Sequence, residues 1–147
     1  MSDVVITAGG FRFEARFETA AAPLTCEAFR KLLPFKQQLL HVRWSGEAIW
    51  VPLGDLPLGL PPENATTYPR PGEIILYPGG VSETEVLIAY GYTHFASKAG
   101  QLAGNHFLTI VSGGEHLTEL GKATLWHGAQ AIEIDRPRAR ARGDDVS

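Results

Sequence analysis

Seven residues, Phe11 to Phe17, constrain the fold more than any other stretch. Phe11, Phe13, Ala15 and Phe17 alternate with Arg12, Glu14 and Arg16, so the extended chain has one apolar face and one charged face. Such a segment is stable as a half-buried strand whose charged side meets water. The preceding Val4-Val5-Ile6-Thr7 is rich in β-branched residues, and Gly9-Gly10 between the runs supplies the positive φ angles of a tight hairpin. The chain therefore opens with an antiparallel pair.

Pro23 opens a different period. Leu24, Ala28, Phe29, Leu32 and Leu33 recur at three- and four-residue spacing, which predicts a helix of about three turns. Pro23 suits its first turn and Pro34 bars its continuation. Cys26 within it reads as a small buried filler rather than a reactive thiol. Residues 37–44 return to strand character, with Leu40, Val42 and Trp44 on one face and Leu39, His41 and Arg43 on the other. Ser45-Gly46 is a turn, and Glu47 to Val51 is the returning strand, stopped by Pro52.

Between Pro52 and Gly72 stand six prolines and three glycines, too many for either regular element, so a long ordered loop is expected there. Strands follow at Glu73–Tyr77, Thr84–Tyr92, His106–Val111 and Ala129–Ile134, with a loop region over 94–105 and a marginal helix at Glu115–Lys122. Eight short strands and two helical segments favour a barrel or a sandwich with helices at its open ends. At 147 residues, 44% hydrophobic and 20% charged, the composition is that of one globular domain. The expected organisation is a single domain over 1–135 and a flexible Arg-rich tail over 136–147.

Charge and cysteine usage narrow the partners. The formal charge of −3 gives no electrostatic reason to expect nucleic acid or an anionic membrane. No apolar run reaches the roughly 20 residues of a membrane span, and Asp3 with Gly9-Gly10 disfavours a signal peptide. The single cysteine excludes an internal disulfide and suits a reducing cytoplasm, the expected location. The histidines (His41, His94, His106, His116, His127) contain no His-x-x-x-His pair, so neither a metal nor a cofactor is expected. No Gly-x-Ser-x-Gly elbow or phosphate-binding loop is present. Trp44 and Trp50 bracket the 45–46 hairpin, where self-pairing would give a homo-oligomer.

The order of elements resembles the cyclophilin fold, an eight-stranded barrel with a helix at each end. Ala22-Pro23-Leu24-Thr25-Cys26-Glu27-Ala28-Phe29, Pro71-Gly72-Glu73-Ile74-Ile75-Leu76 and Leu102-Ala103-Gly104-Asn105-His106-Phe107 are similar to three cyclophilin segments and occur in the right order. The Trp44-Ser45-Gly46-Glu47 turn, Asn64-Ala65-Thr66, Tyr77-Pro78-Gly79-Gly80 and Gly104-Asn105-His106-Phe107 resemble a bacterial family of cyclophilin-like proteins of unknown function. The resemblance implies a mainly β chain, a closed eight-stranded antiparallel barrel capped by two short helices.

It also implies where a site should lie. His106 falls on the family's pocket histidine, and Arg43 lies one residue out of register with its catalytic arginine. The family's Ser-Gln-Phe-Phe reads Thr84-Glu85-Val86-Leu87 here, and Gln101 replaces the pocket tryptophan. Glu85 near Arg43 would oppose the electrophile that twists a prolyl bond. The expected function is therefore binding of a small polar ligand or short peptide in the barrel groove, without efficient prolyl isomerase activity. Arg43, Glu85 and His106 are expected to converge there, with Tyr77 or His94 at the rim. Two alternatives stand beside it. One is a weak peptidyl-prolyl isomerase, or an enzyme acting on an amide-bearing metabolite through His106 and Glu85. The other is a structural role, with the 52–72 loop closing the groove and an Arg43–Glu85 salt bridge tying neighbouring strands.

Overall fold

The computed structural model describes residues 2–138; the expected tail lies mostly outside them. The elements, in chain order, are β1 (Val4–Ala8), β2 (Phe11–Phe17), α1 (Pro23–Arg30), β3 (Phe35–His41), β4 (Gly46–Pro52), β5 (Ala65–Thr66), β6 (Glu73–Tyr77), β7 (Glu85–Thr93), β8 (Ala96–Ser97), β9 (Gly100–Gln101), β10 (Gly104–Ser112), α2 (Leu117–His127) and β11 (Gln130–Asp135). Antiparallel pairing runs β2-β1-β11-β3-β4-β7-β6-β10, and β10 pairs back onto β2, so eight strands close into a barrel. Closure leaves none of these eight as a free edge.

Alternation determines what fills the barrel. Phe13, Ala15 and Phe17 of β2 point inward with Ile6, Leu39, Ile49, Val51, Ile74, Leu76, Val86, Ile88 and Ile132, all nearly or fully buried. Arg12, Glu14 and Arg16 face out, where Arg12 and Glu14 pair at 2.8 Å. Gly9 and Gly10 make the β1–β2 turn at φ 57° and 88°, the left-handed conformations that a two-residue hairpin demands. Helix α1 closes one end of the barrel, its Phe29 ring 5.0 Å from both Phe35 and Phe107.

Both helices depart from the lengths read from sequence. Helix α1 ends at Arg30, and Lys31 to Leu33 continue as turns whose N–H groups bond Phe29 and Arg30 carbonyls. Helix α2 is longer than expected because a 3-10 turn at Gly114–His116 leads into it and its end is deferred to Gly128. It lies against β3, β4 and β7, with Gly121 leaving room for the Tyr90 ring. The proline-rich 52–72 segment is ordered by tethers. Glu63 Oε1 accepts the Thr25 N–H at the start of α1 at 2.6 Å, and the Asn105 side chain accepts the Glu63 N–H and donates to the Pro61 carbonyl. No helix among the described residues is long and apolar enough to cross a membrane.

A second apolar layer lies on the outer face of β4, β6 and β7. Ala48, Ile75, Tyr77 and Leu87 project outward there and are covered by Phe95 and Leu102 from the hairpin segment that carries β8 and β9. Ser45 fastens that segment. Its hydroxyl donates to the Ala96 carbonyl at 3.1 Å and accepts the Ala96 N–H at 3.0 Å.

Candidate functional site

A cavity of about 740 Å³ opens beside this covered layer. Its walls come from five places: the end of β3 and the turn after it (Leu40 to Ser45), Trp50 of β4, the 81–85 segment, the 96–99 hairpin tip, and the C-terminal end of α2. Leu40, Val42, Trp50 and Leu125 give it apolar surface, and Arg43, Lys98, Glu83 and Glu85 give it charge. Trp44 (55% exposed), Val81 and Leu125 leave apolar groups on its rim. A cleft of similar volume over β1, β3 and β11 is lined by Gln37, Gln38 and Gln130, with Lys36 and Glu133 beside them. It holds no comparable buried charge.

Glu85 is the unusual member. It begins β7, paired with Pro52 of β4 on one side and Tyr77 of β6 on the other, and its side chain is almost fully enclosed at 6% exposure. A buried carboxylate ordinarily has a cation or several N–H donors. Among the described residues Glu85 has neither an ion-pair partner nor a hydrogen-bond donor. No sealed side-chain polar atom lacks a partner among those residues, so its oxygens reach the cavity space. Burial first, and then the neighbouring Glu83 carboxylate, push its carboxyl up to about 8. At neutral pH Glu85 is chiefly a neutral acid, able to donate as well as accept.

Arg43 reaches the same cavity by leaving the strand. The ladder of β3 ends at His41, and the chain turns through Val42 and Arg43. The rule that adjacent strand residues face opposite sides therefore lapses, and Leu40, His41, Val42 and Arg43 all line the cavity. The guanidinium has no ion pair among the described residues; the expected Arg43–Glu85 salt bridge does not form. His41 is held as wall rather than as a free base. Its Nδ1–H donates to the Val42 carbonyl at 2.8 Å, and its Nε2 pairs with the Tyr90 hydroxyl at 2.7 Å.

The other expected residues lie elsewhere. Tyr77 is buried beneath the site, edge-on to Phe95 with centroids 5.7 Å apart, and its hydroxyl accepts the Val81 N–H at 3.0 Å. It thereby holds the turn that presents Val81 and Glu83. His94 stacks on Tyr68 and pairs with Gln101 outside the cavity. The convergence expected of His106 is not formed. It sits on β10, beyond β6 from the cavity, in a polar chain where its Nε2 meets Thr109 Oγ1 at 2.8 Å and that hydroxyl donates to Glu18 at 2.6 Å. The Thr109 hydrogen bond holds Glu18 below the ordinary carboxylate range. Trp50, expected with Trp44 on an exposed hairpin, is half-buried in the cavity wall. Glu83 and Lys98 were not singled out from sequence, because they sit in irregular segments without a period.

Known proteins place the fold. McbB, whose structure was solved in complex with tryptophan, superposes with a TM-score of 0.72 at 17% identity over 94% of this chain. The chain spans only 46% of McbB. A cyclophilin-type peptidyl-prolyl isomerase of Cryptosporidium parvum, solved in the presence of the dipeptide Ala-Pro, gives 0.62 at 14% identity, covering 94% of this chain and 100% of that one. A hypothetical protein of Archaeoglobus fulgidus gives 0.57 at 16% identity, covering 92% and 95%. The barrel is cyclophilin-like. No curated protein matches the chain. Residues 4–135 match the family model described as a protein of unknown function, DUF3830.

Proposed function

The chain belongs to the DUF3830 family, and from the geometry of its cavity we propose that it binds a small polar molecule or short peptide there, without efficient prolyl isomerase activity. One observation carries the reading: a buried carboxyl and a guanidinium, each without a protein partner among the described residues, line one cavity with a partly apolar wall. Burying Glu85 in this state costs stability, and a ligand that supplies its missing partner recovers part of that cost. A free guanidinium suits a carboxylate, which it grips through two parallel hydrogen bonds. The tryptophan of the McbB complex and the Ala-Pro of the isomerase structure both carry a carboxylate, which makes them natural first probes.

The state of the apolar layer argues against proline isomerisation. Leu87 and Ile75 are fully buried, sealed under Phe95 and Leu102, so that surface is closed to a proline ring. The open surface beside it mixes apolar groups with the charges of Arg43, Lys98, Glu83 and Glu85. His106, which the cyclophilin resemblance put at the pocket, lies on β10 outside the opening.

Thermal-shift screening against carboxylates, amides and short peptides, including tryptophan and Ala-Pro, tests the binding reading. A ligand at 100 times its Kd stabilises by about 2.7 kcal/mol. We expect at least one such compound to raise Tm, and Arg43→Ala or Glu85→Gln to reduce the shift. If no compound stabilises the protein, the structural role is favoured. In a protease-coupled proline-peptide assay we expect the uncatalysed rate; turnover that collapses in Arg43→Ala would overturn the second half of the proposal.

A further inference from the structure

Strand register sets the surroundings of Glu85 on the outer face of the sheet. Directly opposed residues of an antiparallel pair share a face. Trp50 opposes Leu40 on one side and Leu87 on the other, and Glu85 opposes Pro52 and Tyr77. Side chains two residues apart along a strand also share a face, so Glu85 projects outward with Leu87, and Trp50 with Pro52. Glu85 and Trp50 are therefore diagonal neighbours, with backbones about 7–8 Å apart. That is within reach of a carboxyl and an indole bounding one space, and both line the cavity.

The groups around the carboxyl leave it unserved. Pro52 has no polar side chain, and the Tyr77 hydroxyl accepts the Val81 N–H. Glu83 is a second acceptor, and its Oε1 already takes the Gly54 N–H at 3.0 Å. Arg43 and Lys98 enter from the turn after β3 and from the 96–99 tip, and neither pairs with Glu85. His41 is tied to Val42 and Tyr90. An acceptor only 6% exposed thus faces open volume, with an indole beside it.

A ligand group that fits there donates hydrogen bonds, brings no negative charge, and continues into an apolar stem. A primary ammonium has three N–H donors and no acceptor, and an indole favours a nearby cation. A hydroxyl or an amide brings oxygen lone pairs as well, which face the two acids unpaired. Resting on the binding reading above, we propose that this end of the cavity is a primary-amine subsite, with the ammonium donating to Glu85 and the apolar stem packed on Trp50. The arriving positive charge favours the ionised carboxyl, whose proton leaves to solvent.

Calorimetric titration of the full chain at pH 7 tests this with phenethylamine, 2-phenylethanol, phenylacetamide and phenethyltrimethylammonium. All four share the ring; the last keeps the charge and lacks N–H donors. The amine should bind at least about ten-fold more tightly than each of the others, the scale of a hydrogen bond to a charged group. Glu85→Gln should erase most of that advantage and leave the alcohol nearly unchanged. Trp50→Leu should weaken amine and alcohol together. If the alcohol, the amide or the trimethylated cation matches the amine, or if Glu85→Gln leaves amine affinity unmoved, the assignment is overturned. If the amine fails while carboxylates raise Tm, this inference alone falls. If no compound of any class binds, the binding reading falls with it.

Discussion

Replacing Glu85 by Gln keeps the size and polarity of the side chain and removes its ability to ionise. In the folded wild type the carboxyl titrates at about 8, against an ordinary value of 4.5. Below pH 4.5 both folded and unfolded chains hold the proton, and Glu85 costs nothing. Above that, the unfolded chain releases its proton while the folded one keeps it, so unfolding releases a proton and stability falls as pH rises, levelling off above 8. The slope in this window is about 1.4 kcal/mol per pH unit, a loss of about 3 kcal/mol between pH 5 and 7.5. Glu14 and Glu18 act in the opposite sense, since hydrogen bonds from Arg12 and Thr109 lower them; their stabilisation is lost on acidification below the usual carboxylate range, outside this window. Glu85→Gln should therefore match wild type near pH 5 and exceed it by about 3 kcal/mol at pH 7.5. Urea unfolding at half-unit pH intervals measures this, with a midpoint separation of about 1 M or more at the upper end. Two parallel pH profiles would refute the argument that Glu85 is enclosed without a partner.

Two further outcomes follow from the packing. Gly121→Ala should destabilise by about 1–3 kcal/mol in urea unfolding, because a Cβ there lies 2.5 Å from the Tyr90 ring and overpacking outweighs the gain of about 1 kcal/mol in helix propensity. Phe95→Ala should cost about 3–5 kcal/mol, since the ring is fully buried against Tyr77 in the outer layer; a loss below 1 kcal/mol would mean that the layer is not closed.

The barrel was readable because its strands are locally self-consistent. Alternation from Phe11 to Phe17 fixes which face is buried, and Gly9-Gly10 fixes the turn. Element ends were less readable. The apolar stripe of α1 continues through Leu32 and Leu33, yet the helix stops at Arg30, and those two residues pack against the core from the turn that follows. Arg43 shows the limit for the site. Its face depends on where β3 stops, and that is decided by pairing with β4 and with β11, which lies far along the chain. His106 was placed on the groove by the resemblance, but β6 separates its strand from β7. Glu85 was legible as a charge in an apolar strand. Its isolation was not, because the absence of a partner is a property of three dimensions.

The most direct test is a crystal structure of the protein grown or soaked with a carboxylate ligand that raises its Tm. The account predicts the ligand in the cavity beside Trp50, its carboxylate on the Arg43 guanidinium. A ligand seated in the glutamine-lined cleft over β1, β3 and β11, or a cavity that stays vacant at saturating concentration, would contradict it.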